Sequence, residues 1–239
     1  MKNKQYAGVV VPMVTPVRDG AVDLEAVRTI IRSFAEAGVD ALVLGTTGEG
    51  NLVSQGETIL LTDAAVEAAE GKIRIYAGVT GLCLKEQISQ SEGFARAGAD
   101  VAVAILPSYY ALTEEQMVDY YTALADASPL PVMLYNILST THLSIPVEAV
   151  RKLSMHPNIV GLKDSERDLE RMAACIDIAR DREDFSYFCG WAAQSAHSLE
   201  LGADGIVPST GNFVPKHFRA LYDAAVEGDM EEAQRLQEV

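Results

Sequence analysis

The sequence of 239 residues has few cysteines and no paired cysteine motif. Its three cysteines, Cys83, Cys175 and Cys189, are odd in number and widely spaced, so neither a disulfide framework nor a CxxC site is expected. Free thiols are typical of a reducing compartment, and Pro12 interrupts the first apolar run too early for a signal peptide. We therefore expect a cytoplasmic protein.

Histidine, basic residues and long apolar runs are also scarce. Four histidines lie far apart without HxH or HExxH spacing, so we expect no metal site. Nineteen basic against 34 acidic residues give a net charge of −15, which repels nucleic acid and anionic membrane surfaces. No apolar run approaches the roughly 20 residues that cross a bilayer. We expect neither a nucleic-acid nor a membrane partner.

Short β-branched runs alternate with longer segments of helical periodicity, which is the pattern of βα units around a parallel sheet. The predicted strands are Gly8–Val14, Ala41–Leu44, Ile73–Gly78, Val101–Ile105, Val132–Tyr135, Ile159–Lys163, Phe185–Cys189 and Gly205–Val207. The predicted helices are Leu24–Ala37, Glu57–Glu70, Lys85–Ala97, Glu114–Ala127, Val147–Leu153, Leu169–Ala179, Ala192–Leu201 and Lys216–Val226.

Eight such units favour a closed (β/α)8 TIM barrel over an open sheet. No GxGxxG follows the first strand, so a dinucleotide-binding sheet is disfavoured. We also expect no cofactor. A Gly-x-Asp joint recurs between helix and strand at Gly38–Asp40, Gly98–Asp100 and Gly202–Asp204. We expect residues 1–227 to form the barrel and residues 228–239 to begin a C-terminal helical extension.

Active sites of such barrels lie at the carboxyl ends of the strands, where this sequence places several polar residues. Lys163 ends the sixth strand, and in a poorly solvated mouth its neutral amine could attack a carbonyl and form a Schiff base. An ion pair between Lys163 and the adjacent Asp164 is the structural alternative. The sequence around Lys163 leaves both interpretations open.

Three other segments have comparable alternatives. The Gly45–Glu49 loop could bind a carboxylate through backbone N–H groups and hydroxyls, or could be an ordinary turn. Tyr135 could exchange protons beside an amine, or could be an interior aromatic residue. The Tyr109-Tyr110 pair is more typical of packing or of an interface than of catalysis.

The sequence resembles the dihydrodipicolinate synthase/N-acetylneuraminate lyase family of pyruvate-dependent class I aldolases and lyases. The matching motifs run in family order through nearly the whole chain, which makes their combination specific. They are Gly45-Thr46-Thr47-Gly48-Glu49, Tyr109-Tyr110, Tyr135-Asn136, Gly161-Leu162-Lys163-Asp164-Ser165 and Gly202-Ala203-Asp204-Gly205.

The resemblance implies a Schiff-base lyase or aldolase that acts on pyruvate or a 2-keto acid together with an aldehyde. It assigns the imine to Lys163 and proton transfer to Tyr135, with Thr46 connecting Tyr135 to a Tyr110 that the neighbouring subunit lends in the synthase branch. A homo-oligomer, dimer or tetramer, follows from that arrangement. The residues assigned to substrate binding are Thr47, Gly48, Thr140, Gly190 and Val207.

Two departures from the family pattern bear on the substrate. Leu138 replaces a proline found in many relatives, and Thr140 aligns with the arginine that binds the second substrate's carboxylate in the lysine-pathway synthase. A hydroxyl cannot make that bidentate contact, so we expect a keto-sugar acid or hydroxy-keto acid aldolase or dehydratase rather than true dihydrodipicolinate synthesis. The family also usually continues into a C-terminal helical bundle, most of which we expect to be absent.

Two other functions remain open. A non-catalytic barrel could bind a keto acid while Lys163 is only ion-paired. Alternatively, the turn at Pro208–Asn212 after the last strand could bind phosphate, although it contains one glycine and no adjacent basic residue.

Overall fold

The computed structural model describes residues 4–238, which fold around a closed barrel of eight parallel strands. These strands are β1 (Gly8–Pro12), β4 (Asp40–Val43), β5 (Ile75–Val79), β6 (Val101–Ile105), β7 (Val132–Asn136), β8 (Ile159–Asp164), β9 (Ser186–Cys189) and β10 (Gly205–Ile206). They pair in chain order, and β10 closes onto β1 through the register Val9 with Ile206. The predicted (β/α)8 barrel is confirmed.

Helices follow the strands and cover the outside of the barrel. They are α1 (Leu24–Ala37), α2 (Gln55–Ala69), α3 (Leu84–Ala97), α4 (Glu114–Ala127), α5 (Leu138–Thr141), α6 (Val147–Leu153), α7 (Leu169–Arg180), α8 (Ser195–Leu201), α9 (Pro215–Glu227) and α10 (Met230–Gln237). The apolar face of α1 shows why: Val27, Ile31 and Phe34, spaced by three or four residues, are all buried against the sheet.

Two small elements differ from the sequence prediction. A hairpin of β2 (Val17–Arg18) and β3 (Ala21–Val22) follows the first strand, which ends at Pro12 rather than at Val14. The two strands of this hairpin are too short to show a period. The positive φ angles of Asp19 and Gly20 nevertheless fit an Asp-Gly turn, and that dipeptide is a hairpin signal. The single turn of α5 follows β7 and was also missed.

The repeated Gly-x-Asp joints have one structure. Each glycine ends its helix in the left-handed conformation, which only glycine adopts readily: Gly38 (φ 68°), Gly98 (φ 89°) and Gly202 (φ 103°). Each aspartate accepts a backbone N–H at the start of an adjacent strand: Asp40 from Arg74 at 2.9 Å, Asp100 from Ile75 at 2.7 Å, and Asp204 from Tyr187 at 2.8 Å. The joints thus fix the register of neighbouring strands at the amino end of the barrel.

The interior of the barrel is filled by side chains. A compact cluster points inward from the strands, including Val10, Leu42, Tyr76, Val103, Met133 and Phe188, and a larger cluster lies between the strands and the helices. A filled barrel has no central pore, so a ligand must bind above this cluster, at one end.

The last described helix, α10, packs on α8 and α9. The Gln237 side chain accepts a hydrogen bond from the Ala196 backbone N–H at 3.0 Å, and Ala233 is fully buried. The division of the chain at residue 227 remains a prediction. Within residues 4–238, no helix has both the length and the apolarity needed to cross a membrane.

Candidate active site

A cavity of about 720 Å³ opens at the carboxyl ends of the barrel strands. Its lining includes six residues that the sequence predicted for the site: Thr46, Thr47, Tyr135, Lys163, Gly190 and Val207. They come from three loops and two strands that are far apart in the sequence. The strand-end rule therefore brings these six together correctly.

Lys163 lies on the inner face of β8, near its carboxyl end, and is only 4% exposed. Its close neighbour Gly161 allows β8 to approach β9, because a Cβ there would lie 2.6 Å from the Ser186 carbonyl oxygen. Lys163 forms no ion pair with any of residues 4–238. Its amine is thus buried, directed into the cavity and available to a ligand.

Asp164 points away from Lys163, because successive residues of a strand face opposite sides. Its carboxylate accepts hydrogen bonds from Arg171 Nε at 2.7 Å and from Asn136 Nδ2 at 2.8 Å, outside the barrel. Burial raises the pKa of Asp164, and the Arg171 charge opposes that shift. The alternative in which Asp164 pairs with Lys163 is therefore wrong.

The cluster around Asp164 extends to the next loop. Glu166 accepts hydrogen bonds from Asn136 Nδ2 at 2.9 Å and from Ser144 Oγ at 2.7 Å, and the Asn136 side chain accepts one from the Ile145 N–H at 3.0 Å. These contacts join the segments after β7 and β8 behind the lysine. Asp164 and Asn136 belong to the motifs that carry the family resemblance, but no sequence pattern predicts this cluster.

Tyr135 contacts both Lys163 and Thr46. Lys163 Nζ lies 3.7 Å from the centroid of the Tyr135 ring, and the Tyr135 hydroxyl donates to Thr46 Oγ1 at 3.3 Å. Burial disfavours the phenolate, but the Lys163 charge and interactions of the hydroxyl with Thr46, Lys163 and Ser165 together lower the pKa of Tyr135. A phenol in this position can both donate and accept a proton beside the amine.

The loop that holds Thr46 and Thr47 turns sharply after β4. Leu44 has a positive φ of 58°, and its carbonyl group is crowded by Gly50 and Gly78, where a Cβ would overlap it. The N–H groups of Thr46 and Thr47 donate to no other group in the described part of the chain. Because both residues line the cavity, these N–H groups and hydroxyls are available to a carboxylate.

A second, smaller cavity of about 160 Å³ adjoins the first and contains Thr140 in its wall. Thr46 and Tyr135 line both cavities, so their hydrogen bond lies at the boundary. Thr140 is exposed on α5, whereas the neighbouring Thr141 hydroxyl is buried and bonded to the carbonyls of Ile137 and Leu143. Thr140 is therefore the hydroxyl of the two that a ligand could reach.

Two predicted site residues lie elsewhere. Gly48 lines neither cavity; it is buried where a Cβ would lie 2.7 Å from the Met13 carbonyl oxygen. Tyr110 is 75% exposed and packs edge-on against Tyr109, with ring centroids 4.8 Å apart. Within one chain, Tyr110 is not part of the cavity that contains Lys163.

Several residues of the larger cavity were not assigned to it from the sequence: Ser139, Ser165, Glu166, Arg167, Trp191 and Ser209. Each lies shortly after a barrel strand, so a systematic reading of every strand-end loop would have found them. Gly190 is required beside them, since a Cβ there would overlap the Ser165 side chain.

The phosphate-binding alternative concerns the turn at Pro208–Asn212. The side-chain amide of Asn212 in this turn already donates to the Pro12 and Ser209 carbonyls at 2.9 and 2.8 Å.

Comparisons with known proteins all point to one family. The chain matches the dihydrodipicolinate synthetase family over residues 5–239. A 4-hydroxy-tetrahydrodipicolinate synthase of an Exiguobacterium strain is 35% identical over 234 residues, covering 97% of this chain and 79% of that protein. A synthase of Geotalea uraniireducens with the same name is 34% identical over 231 residues, covering 96% of this chain and 79% of that protein.

Solved structures give the same result. The dihydrodipicolinate synthase of Acinetobacter baumannii, determined with pyruvate, superposes with a TM-score of 0.92 at 30% identity and covers 97% of this chain and 80% of that one. The Bacteroides thetaiotaomicron enzyme gives a TM-score of 0.93 at 30% identity, with 99% and 80% covered.

Proposed function

The chain belongs to the dihydrodipicolinate synthetase family, and from that membership and the cavity geometry we propose the residues that carry its reaction. It is a Schiff-base-forming, pyruvate-dependent enzyme of the lyase and aldolase class. We assign the imine to Lys163. The observation that carries this assignment is a buried lysine that forms no ion pair in the described part of the chain and faces a cavity at the carboxyl end of a barrel.

The chemistry starts at the keto carbon. The neutral amine of Lys163 adds to C2 of pyruvate, and the C2 oxygen leaves as water to give a protonated imine. Loss of a proton from C3 then gives an enamine, because the imine accepts the electron pair. The enamine carbon adds to an aldehyde carbon whose oxygen takes up a proton, and hydrolysis of the imine releases the product. Cleavage follows the same steps in reverse.

Tyr135 is placed to move the protons in these steps. It lies directly against Lys163, and its lowered pKa makes the phenolate more accessible than that of an ordinary tyrosine. It can take a proton from the amine or the carbinolamine and return it to the leaving oxygen. Thr46 accepts the Tyr135 hydrogen bond and so holds the phenol in position.

The Thr46–Thr47 loop is proposed to hold the carboxylate of the keto acid. Its two unpaired N–H groups and the Thr47 hydroxyl line the same cavity as Lys163. Gly190 and Val207 form another part of the wall. An acidic protein cannot attract an anion by its overall charge, so this local set of donors must do so.

The aldehyde partner is proposed to be hydroxylated. Thr140 offers a hydroxyl in the wall of the smaller cavity, where an arginine would be needed to bind a carboxylate bidentately, and Ser139 lines the larger cavity. A panel of 2-keto-3-deoxy sugar acids assayed beside aspartate semialdehyde tests this assignment. Turnover of the sugar acids is expected, and activity with the semialdehyde alone would refute it.

Reductive trapping tests the imine. The protein is incubated with pyruvate and sodium borohydride, digested, and mapped by mass spectrometry, with borohydride alone as the blank. We expect an adduct on the peptide that contains Lys163, with the mass of a reduced pyruvyl imine. Absence of an adduct in a folded protein that still binds pyruvate would instead support a non-catalytic keto-acid-binding barrel.

We also propose that the enzyme is a homo-oligomer. The exposed Tyr109 and Tyr110 form an apolar surface with Leu82, Pro107 and Leu112, which is suited to contact a second copy. Tyr110, which does not reach Thr46 within one chain, could enter the neighbouring site in such an assembly. Sedimentation velocity of the full chain would detect a dimer or tetramer.

The three cysteines support a cytoplasmic location as a further part of the proposal. Cys175 and Cys189 are buried and unpaired, and Cys83 is exposed and unpaired. Free thiols of this kind fit a reducing compartment.

A further inference from the structure

Arg167 is a charged residue of the larger cavity that the proposed mechanism does not use. It is exposed in the loop between β8 and α7, four residues after Lys163, and its side chain lines the cavity of about 720 Å³. Among the residues that line this cavity, the cations are Lys163 and Arg167. Since Lys163 is occupied by the imine, Arg167 supplies a second, independent positive charge.

The acids beside Arg167 in the chain are engaged elsewhere. Glu166 accepts hydrogen bonds from Asn136 and Ser144 and lies 3.5 Å from Arg171 Nε, so its charge faces another guanidinium. Asp168 accepts the Arg171 N–H at 3.0 Å and begins α7 as its N-cap.

No carboxylate among residues 4–238 lies within ion-pair distance of Arg167. In a chain with a net charge of −15, an arginine at the cavity without an acidic partner is a notable local exception. Its guanidinium can bind a carboxylate or a phosphate through two parallel hydrogen bonds. The nearby Glu166 carboxylate is held by hydrogen bonds from Asn136 and Ser144, so it does not occupy the guanidinium of Arg167.

The size of the cavity leaves room for such a group. A three-carbon keto acid occupies only a small part of about 720 Å³, and the Thr46–Thr47 loop already provides donors for its own carboxylate. A longer substrate bound as an imine on Lys163 would extend through the remaining space, part of whose wall is Arg167.

We propose that Arg167 binds a second anionic group, a carboxylate or a phosphate, on the part of the substrate remote from the keto carbon. The preferred substrates are then hydroxylated 2-keto acids that also carry an anionic group at the far end of the chain. This inference rests on the proposed imine at Lys163. Arg167, in the loop between β8 and α7, then binds the anionic group that the Thr140 hydroxyl cannot bind bidentately.

Three keto acids of matched length test the proposal: 2-oxohexanoate, 2-oxoadipate and 2-oxo-5-phosphonopentanoate, whose tails end in methyl, carboxylate and phosphonate. Half-saturating concentrations are measured by borohydride trapping on Lys163, for wild type and for Arg167→Gln. In the wild type we expect at least one anionic tail to bind about tenfold more tightly than the methyl tail, the usual size of one charge-assisted contact. The tighter of the two anions identifies the tail as carboxylate or phosphate.

In Arg167→Gln we expect that preference to be lost while trapping of pyruvate and 2-oxohexanoate is unchanged. Arg151→Gln, which removes an exposed arginine from α6, is the control and should keep the wild-type preference. A variant that retains the preference, or a wild type without one, would overturn the role of Arg167 while leaving the imine intact. A wild type that traps no keto acid would overturn the proposed function, and this inference with it.

Discussion

Two lysines at opposite ends of the barrel both have buried side chains but entirely different surroundings. Lys4, at the amino end, is 4% exposed in its side chain and donates to the Ala179 and Phe185 carbonyls at 2.8 Å and to Asp204 at 2.9 Å. Lys163, at the carboxyl end, is 4% exposed and has no acidic partner among residues 4–238. All three N–H bonds of Lys4 are used, whereas those of Lys163 face a cavity.

The two lysines show that a buried lysine can serve stability, as Lys4 does, or reactivity, as Lys163 does. A buried ammonium whose donors are all satisfied holds two chain segments together and has no capacity left for a ligand. A buried amine without an ion pair contributes little to folding but can react with a carbonyl. Burial alone therefore does not identify a functional lysine; the identity of its partners does.

Replacement of Lys163 by alanine should have the largest effect. The nucleophile is lost, so turnover should fall by about 10⁴-fold or more and pyruvate trapping should disappear. Stability should be unchanged or increased, since a buried charge without a counter-ion is removed. Steady-state kinetics and urea unfolding measure the two effects. Residual turnover close to wild type would remove Lys163 from the reaction.

Tyr135→Phe should come next. It keeps the ring under Lys163 but removes the hydroxyl that exchanges protons, so turnover should fall by about 10²–10³-fold. Trapping of pyruvate on Lys163 should be slower but should reach the same stoichiometry. A Tyr135→Phe enzyme of wild-type rate would show that another group moves the protons.

Lys4→Ala should lower the stability and leave the reaction at Lys163 unchanged, which is the reverse of the result expected for Lys163→Ala. Removing one member of a buried pair leaves Asp204 without its cation, so the free energy of unfolding should decrease by about 3 kcal/mol. The fraction of folded protein that pyruvate can label on Lys163 should not change. Lys152→Ala, which removes an exposed lysine paired with Glu114, is the control and should change stability by about 0.5 kcal/mol or less. An equal effect of the two substitutions would contradict the comparison.

Thr46→Val should have the smallest effect, at about tenfold in rate. It removes the hydroxyl that accepts from the neutral phenol and, by rotating, can donate to the phenolate, which lowers the pKa of Tyr135. That pKa should rise, and the ascending limb of the pH–rate profile should move to higher pH because the phenolate forms later. Thr47→Val is the control, expected to raise KM for pyruvate without moving the limb. An unmoved limb in Thr46→Val would separate Tyr135 from the pH profile.

Much of the fold could be predicted because its signals are local. Apolar runs, with Gly-x-Asp joints before three of the strands, placed all eight barrel strands within two residues of their observed ends. The β2–β3 hairpin and α5 were missed because two to four residues show no period.

The site was predictable to the extent that the barrel itself assembles it. Strand ends converge, so Lys163, Tyr135 and Thr46 could be grouped from the sequence. Arg171 reaches Asp164 from a helix seven residues further on, and no sequence pattern identifies that contact. The alternation of residues along β8 would, however, have excluded an Asp164–Lys163 pair from the start.

The buried cluster of Asn136, Asp164, Glu166 and Arg171 has a consequence for how new specificities can arise. Because it fastens the bases of the loops after β7 and β8 from outside the barrel, the exposed tips at Ser139, Thr140 and Arg167 can vary without moving the lysine. The cluster holds the bases of these loops in place, so the residues that recognise the substrate can be exchanged without disturbing it. Redesign of the substrate range should therefore begin at those tips and leave the four anchoring residues untouched.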